Sequence, residues 1–192
     1  MAGDALINVF KETFNPRGHR ENPFRMRMDL YWVDGPWSGK LAIGPRPRGG
    51  DWLEDEISAW RLAGIDVVLS LLTLEEEESL DITKEREQVR KVGMSFVSLP
   101  IPDRQVPASP TELAAVLDQL NAALVSGKNI LIHCRQGIGR TGLVAACLLL
   151  TKGWGSSDAV EHLNAARGAP VPETQDQREW IDRYAAILAS TQ

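Results

Sequence analysis

The sequence predicts an α/β fold: a central, mostly parallel sheet flanked by helices. Three runs carry that prediction. Residues 67–72, VVLSLL, form a near-continuous apolar stretch between Gly64 and Thr73, the mark of a strand covered on both faces and therefore of a parallel sheet. Residues 130–134, ILIHC, read as a second buried strand, and beyond a glycine-containing loop residues 143–150, LVAACLLL, read as a buried helix. Strand and helix patterns alternate through most of the chain, which then closes in a succession of helices.

In order, residues 1–24 read as an extension in which Phe10, Phe14 and Phe24 are interrupted by the breakers Asn15-Pro16-Arg17-Gly18. One domain is expected over residues 25–192, a length with room for a sizeable core. Strands are expected at 30–33 and 41–43. Asp51 is expected to cap a helix reaching Ala63, with Trp52, Ile57, Trp60 and Leu62 to one side and Gly64 as its stop. The acidic run at 75–78 reads as solvated surface without function. A helix over 83–92 stops at Gly93, and residues 94–100 alternate into a strand. Residues 102–107 form a loop, after which Ser109 and Glu112 begin a helix to Ser126. Gly153-Trp154-Gly155 turns the chain, and Ser156 or Ser157 caps a helix through Ala166. Pro170 and Pro172 end that stretch, and a last helix over 174–189 is expected to bury Trp180, Ile181, Tyr184 and Ile187.

Hydrophobic residues make up 43% of the chain and charged residues 24%, the balance of an ordinary globule. A formal net charge of -5 gives the surface no general attraction for nucleic acid or anionic membrane. No apolar run approaches the roughly 18 residues of a membrane span. The N-terminus lacks a signal-peptide core, so a cytoplasmic monomer is expected. Two cysteines, Cys134 and Cys147, do not make a disulfide framework. Along a helix Cys147 would sit about 12 Å up from the loop, beyond the reach of a disulfide, and reads as core.

Residues 129–142, NILIHCRQGIGRTG, organise the rest. A strand, a tight loop and a helix N-terminus turn successive backbone N–H groups toward one point, a seat for an anion. A thiol in that concavity is expected to ionise more readily than a free cysteine, whose pKa is about 8.5. Arg140 opens the helix, and its planar guanidinium can grip two oxygens of a tetrahedral oxyanion. A thiolate beneath a bound phosphate is a device for phosphoryl transfer.

His133-Cys134-x-x-Gly137-x-x-Arg140-Thr141-Gly142 resembles the signature loop of the cysteine-dependent protein tyrosine and dual-specificity phosphatases, and the resemblance extends over residues 30–181. Rhodanese-like sulfurtransferases also carry a loop cysteine, on a shorter ring. The resemblance implies a phosphatase-like α/β sandwich, with Cys134 as nucleophile and Arg140 binding the phosphate and the charge of the transition state. The backbone of Arg135, Gln136, Gly137, Ile138 and Gly139 would complete the phosphate cradle, with Gly137 and Gly139 supplying backbone freedom. His133 would help hold the loop and favour the thiolate, or serve as a satisfied strand-end histidine. Thr141 would hydrogen-bond the cysteine sulfur, or satisfy backbone groups at the helix start. Asp103, on the 102–107 loop, is the expected general acid, with mid-helix Asp118 as the other acid considered. Arg104 either meets a second anionic group or is merely exposed. By the Thr-x-x-Gln-x-x-aromatic spacing Gln177, ahead of Gln175, either orients the hydrolytic water or sits at a helix start without function.

Neither metal nor cofactor is implied, and the expected partner is a phosphorylated protein, with phosphotyrosine first and phosphoserine or phosphothreonine after it. A phosphoinositide or small phosphate is the alternative substrate, although Arg135 is the sole additional basic residue of the loop. A phosphate-binding adaptor without turnover is the non-enzymatic alternative, weakened by the joint presence of Cys134, Arg140 and Asp103.

Overall fold

The computed structural model describes residues 29–191. The extension expected over residues 1–24 lies outside the described residues. Five strands form one sheet: β1 (Tyr31–Val33), β2 (Leu41–Pro45), β3 (Val67–Ser70), β4 (Ser95–Ser98) and β5 (Ile130–Cys134). Their spatial order is β1-β2-β5-β3-β4, with β1 antiparallel to β2 and every other pair parallel. The α-helices are α1 (Leu53–Leu62), α2 (Leu74–Ser79), α3 (Glu85–Lys91), α4 (Pro110–Val125), α5 (Gly139–Leu150), α6 (Ser156–Arg167) and α7 (Gln175–Thr191).

The last strand in sequence is the middle strand in space. β5 pairs with β2 through Leu41↔Ile130, Ile43↔Ile132 and Pro45↔Cys134, and with β3 through Val67↔Ile130 and Ser70↔His133. Every residue of β5 is buried, which accounts for its unbroken apolar text. Successive side chains leave on opposite faces. Ile130, Ile132 and Cys134 enter the larger core with leucines of α4 and the apolar residues of α5, α6 and α7. Leu131 enters the smaller core with Ala42, Val68, Ile57, Trp60 and Val89, beneath α1 and α3. His133 shares that second face, its ring 5.6 Å from the ring of Trp60. All twelve residues of α5 are buried, as its all-round apolar sequence requires.

One helix was not expected: α2 forms over the acidic run read only as solvated surface. The other element types match the sequence expectations, and most remaining departures are at helix starts. Asp51 does not cap α1. It lies in a 3-10 turn (Gly50–Trp52), so the helix proper begins at Leu53. That shift changes the buried stripe to Leu53, Ile57 and Trp60, spaced by four and three residues. Leu62 falls nine residues after Leu53, half a turn out of phase, and is 88% exposed, while Trp52 is 53% exposed. Ser109 does cap α4, its Oγ accepting the Glu112 N–H at 3.3 Å. Helix α6 begins after Gly155 without a side-chain cap, so neither Ser156 nor Ser157 has that role. In α7 Trp180, Ile181 and Tyr184 are buried, whereas Ile187 is 43% exposed.

Stability should follow this layering. Ile132→Ala, at a position with 0% exposure, is expected to cost about 2–5 kcal/mol, and Leu62→Ala less than about 0.5 kcal/mol. Urea unfolding of the two variants checks the difference.

Candidate active site

Cys134 ends the central strand, and the loop after it leads into α5. The thiol lies in the floor of a cavity of about 140 Å³ lined by Asp103, Arg104, Cys134, Arg135, Gln136, Gly139, Arg140, Glu173 and Gln177. Two loop glycines have different reasons to be glycine. Gly137 has φ +68, and a Cβ there would lie 2.3 Å from the Gly44 carbonyl carbon, so both conformation and space exclude a side chain. Gly139 has no such backbone demand, which departs from the expected freedom. A Cβ there would press on the Gln177 side-chain amide at 3.0–3.1 Å. Arg167, stacked on the Tyr31 ring at 4.0 Å, donates to the Gly137 carbonyl at 3.3 Å, so that carbonyl is engaged away from any bound anion.

Arg140 is almost wholly buried yet densely paired. Its Nη1 donates to Glu76 Oε2 at 2.6 Å and to the Ile101 carbonyl at 2.8 Å, and its Nη2 donates to Glu76 Oε1 and Asp103 Oδ1, both at 2.9 Å. The fork-to-fork match with Glu76 fixes the plane of the guanidinium. Glu76 is fixed in turn. It closes a capping box at the start of α2, its Oε2 accepting the Thr73 N–H while its own N–H donates to Thr73 Oγ1. Burial works against charge on both partners, and the pairing outweighs it. The Glu76 carboxyl is held below its ordinary value by Arg140 and the Thr73 N–H, and the Arg140 guanidinium is raised further by Glu76, Cys134 and Asp103.

The acidic run read as solvated surface therefore supplies the clamp on Arg140. The Thr73-x-x-Glu76 spacing was the signal available for it, since that pattern marks a helix start and a bound carboxylate. A sequence carries no comparable signal for the partner of that carboxylate 64 positions away.

Asp103 shares the same Nη2 with Glu76 and is half exposed, 53%. It stands at the cavity, as expected of an acid. Asp118 is exposed on α4 and is absent from the cavity lining. Burial, with smaller contributions from Cys147 and Asp118, pushes Tyr184 up to about 12. Arg104 is not simply exposed: its Nη1 pairs with Glu173 Oε1 at 2.7 Å at the cavity rim. Gln177 lines the cavity with 0% exposure, while Gln175 pairs outward with Glu179.

His133 and Glu85 form a sealed pair beneath the loop. Their Nε2 and Oε1 atoms stand 2.8 Å apart with 0% and 1% exposure, without the alignment of a hydrogen bond. Burial and the neighbouring Glu85 charge raise the Glu77 carboxyl nearby. Nothing in the sequence marked Glu85, one of two acids in a charged helix. Thr141 is buried with its hydroxyl unbonded among the described residues, and Ile138 is the N-cap of α5. The helix-start role weighed for Thr141 is therefore not the one it has. Cys147 is a free cysteine in the core whose thiol burial pushes well up, so it is inert packing.

The Glu76 clamp has a pH signature. Because its folded pKa is depressed, its contribution to stability is present above the ordinary value of 4.5 and is lost as pH falls through the folded value. Glu76→Gln is expected to cost about 1.5–3 kcal/mol near neutral pH, the worth of a hydrogen bond to a charged group. That difference should narrow below pH 4.5, as read by denaturant unfolding at stepped pH.

Comparison with known proteins agrees with this geometry. The family model described as "Polymorphic toxin system, DSP-PTPase phosphatase" matches residues 45–154, more than half of the chain. Cyclin-dependent kinase inhibitor 3 of Rattus norvegicus is 28% identical over 144 residues, covering 72% of this chain and 68% of the rat protein. In structure the chain is similar to kinase-associated phosphatase carrying a serine for its catalytic-site cysteine, with TM-score 0.80, 21% identity, and coverage of 86% of this chain and 98% of that one. It is also similar to Tk-PTP in its active form, with TM-score 0.67, 25% identity, and coverage of 84% and 99%. Among the described residues no helix is long and apolar enough to cross a membrane. A signature loop at the end of the central strand, and a family model that takes in that strand, its neighbour β3 and the helix α5 that follows it, lead to one conclusion: the chain belongs to the DSP-PTPase family of cysteine-dependent dual-specificity phosphatases.

Proposed function

We propose that this chain removes phosphate from phosphorylated protein, phosphotyrosine first and phosphoserine or phosphothreonine after it, through a phosphocysteine intermediate. One observation carries the reading: Cys134, Arg140 and Asp103 line a single small cavity, with Asp103 held 2.9 Å from Arg140. The similarity to a kinase-associated phosphatase supports a protein as the substrate. A nucleophilic thiol and a second cysteine left unpaired suit the reducing cytoplasm.

In the first step the Cys134 sulfur attacks phosphorus opposite the leaving oxygen. The S–P bond forms as the P–O bond breaks, and Asp103 delivers its proton to the departing oxygen. Arg140 has five N–H donors. Its contacts on Glu76, the Ile101 carbonyl and Asp103 use both Nη groups, and the Nε–H is left unbonded among the described residues. A phosphate gripped by two guanidinium N–H groups therefore takes Nε–H together with the Nη2 position that Asp103 holds. That exchange frees the carboxyl to move onto the leaving oxygen. In the second step water attacks phosphorus, Asp103 takes its proton, and the sulfur departs. The unbonded, buried Thr141 hydroxyl supports its reading as the donor to that sulfur.

Wild-type protein is expected to hydrolyse a generic aryl phosphate in the presence of chelator, since nucleophile, anion donors and acid are all side chains and backbone of the chain. Cys134→Ser should bind a phosphotyrosyl peptide without turning it over, because a hydroxyl at this position is a far weaker nucleophile. Activity that depends wholly on added divalent ion, or brisk turnover by the serine variant, would overturn the assignment.

Asp103→Asn separates the acid from other carboxylates through the leaving group. Tyrosyl and alkyl phosphates should lose about 10²–10⁴-fold in kcat/KM. An activated aryl phosphate, whose leaving group is a weak base, should lose far less. A uniform loss across a leaving-group series would mean that Asp103 only shapes its loop.

A further inference from the structure

Three successive residues of the 102–107 loop are each held by a different contact. The Asp103 carboxylate sits on Arg140, the Arg104 guanidinium pairs with Glu173 at 2.7 Å, and the Gln105 carbonyl accepts from Gln177 Nε2 at 3.1 Å. The last two contacts come from one short segment, residues 173–177, at the start of α7. Arg104 has φ 61, a left-handed conformation that a non-glycine residue keeps only where its surroundings hold it.

The Gln177 amide is built into this arrangement. Its Oε1 accepts the Thr174 N–H at 3.2 Å, and Thr174 Oγ1 accepts the Gln177 N–H at 3.2 Å, a reciprocal cap on α7. Oε1 on an N–H and Nε2 on a carbonyl is the one orientation in which both ends of the amide bond correctly. The side chain has 0% exposure, and the absence of a side chain at Gly139 makes the room in which it crosses the phosphate loop.

We propose that Gln177, with Glu173 as an outer support, is a positioning residue for the general acid: it holds the backbone at Gln105 so that Asp103 is presented over the cavity. This rests on the activity proposed above and departs from the water-orienting role that the sequence resemblance implied for Gln177. The two roles belong to different chemical steps. A residue acting through Asp103 affects formation of the phosphocysteine, in which the leaving group is expelled. A residue that orients water affects only its hydrolysis. The parameter kcat/KM reports the first irreversible step and is blind to the second.

The experiment compares wild type, Gln177→Ala, Asp103→Asn and the double variant across phosphate monoesters of graded leaving-group basicity. Gln177→Ala is expected to lower kcat/KM for an alkyl phosphate about tenfold or more, to leave an activated aryl phosphate within about threefold, and to add nothing further in the Asp103→Asn background. Glu173→Gln, at the exposed rim and safe for folding, should steepen the leaving-group dependence in the same sense by a smaller factor. An unchanged dependence in both single variants, or a burst of product followed by slow turnover with kcat/KM intact, would overturn the proposal. Amide hydrogen exchange of the whole chain supplies a readout apart from activity. The Gln105 N–H, which donates to the Pro102 carbonyl at 3.0 Å, should exchange faster in Gln177→Ala while the β5 amides do not, and equal exchange would again overturn it. A wild-type protein that hydrolysed no monoester would refute the proposed activity, with the exchange result still deciding whether Gln177 holds the loop.

Discussion

The structure depends on keeping one guanidinium charged and oriented inside the protein. Arg140 is 1% exposed, and a buried cation is tolerated only with close partners of opposite charge and satisfied N–H groups. Glu76 meets the first need with two parallel bonds, and backbone carbonyls beyond β3 and β4 meet part of the second. The clamp also explains why so short a helix as α2 is in place. Six residues have little stability alone, but a capping box at one end and a bidentate ion pair from the same glutamate tie this turn to the core. The cavity above Cys134 is thus assembled by the same contacts that seat its surrounding elements.

Beneath the loop a second pair of ionisable side chains lies deeper. His133 continues β5 but points to the opposite face from Cys134, where Glu85 and Trp60 enclose it. The end of β5 therefore has an apolar, helix-covered core on the Cys134 side and an ionisable pair on the other. The alternation of a strand, which sends neighbouring residues to opposite faces, creates this division from two adjacent letters of sequence.

Much of this was legible in the chain. Runs such as ILIHC and LVAACLLL state their own burial, and the spacing from Cys134 to Arg140 states a loop. Asp103 was picked out by its place after a strand between Pro102 and Pro107, read through the family resemblance. What was not legible depends on distant partners. Glu76 and Glu85 look like surface acids among other acids, and only the fold brings them to Arg140 and His133. Helix starts were missed where phase, rather than composition, decides: Asp51 had the chemistry of a cap, but a 3-10 turn moved the helix past it. Gly139 shows the same limit. Its reason is a glutamine 38 positions later occupying the space, which no local rule contains.

The three consecutive attachments of residues 103, 104 and 105 also set a length. The partners sit on two stretches of chain, α5 for Arg140 and the 173–177 segment entering α7 for Glu173 and Gln177. Adding or removing one residue within this triplet would move every later attachment out of register, much as a slipped strand loses its pairing. Beyond Gln105 that constraint eases, since the loop has only to reach the Ser109 cap of α4. Length variation among chains built on this plan should therefore be confined to the few positions between Val106 and that cap, and the spacing from the acid to the glutamine's anchor should stay fixed.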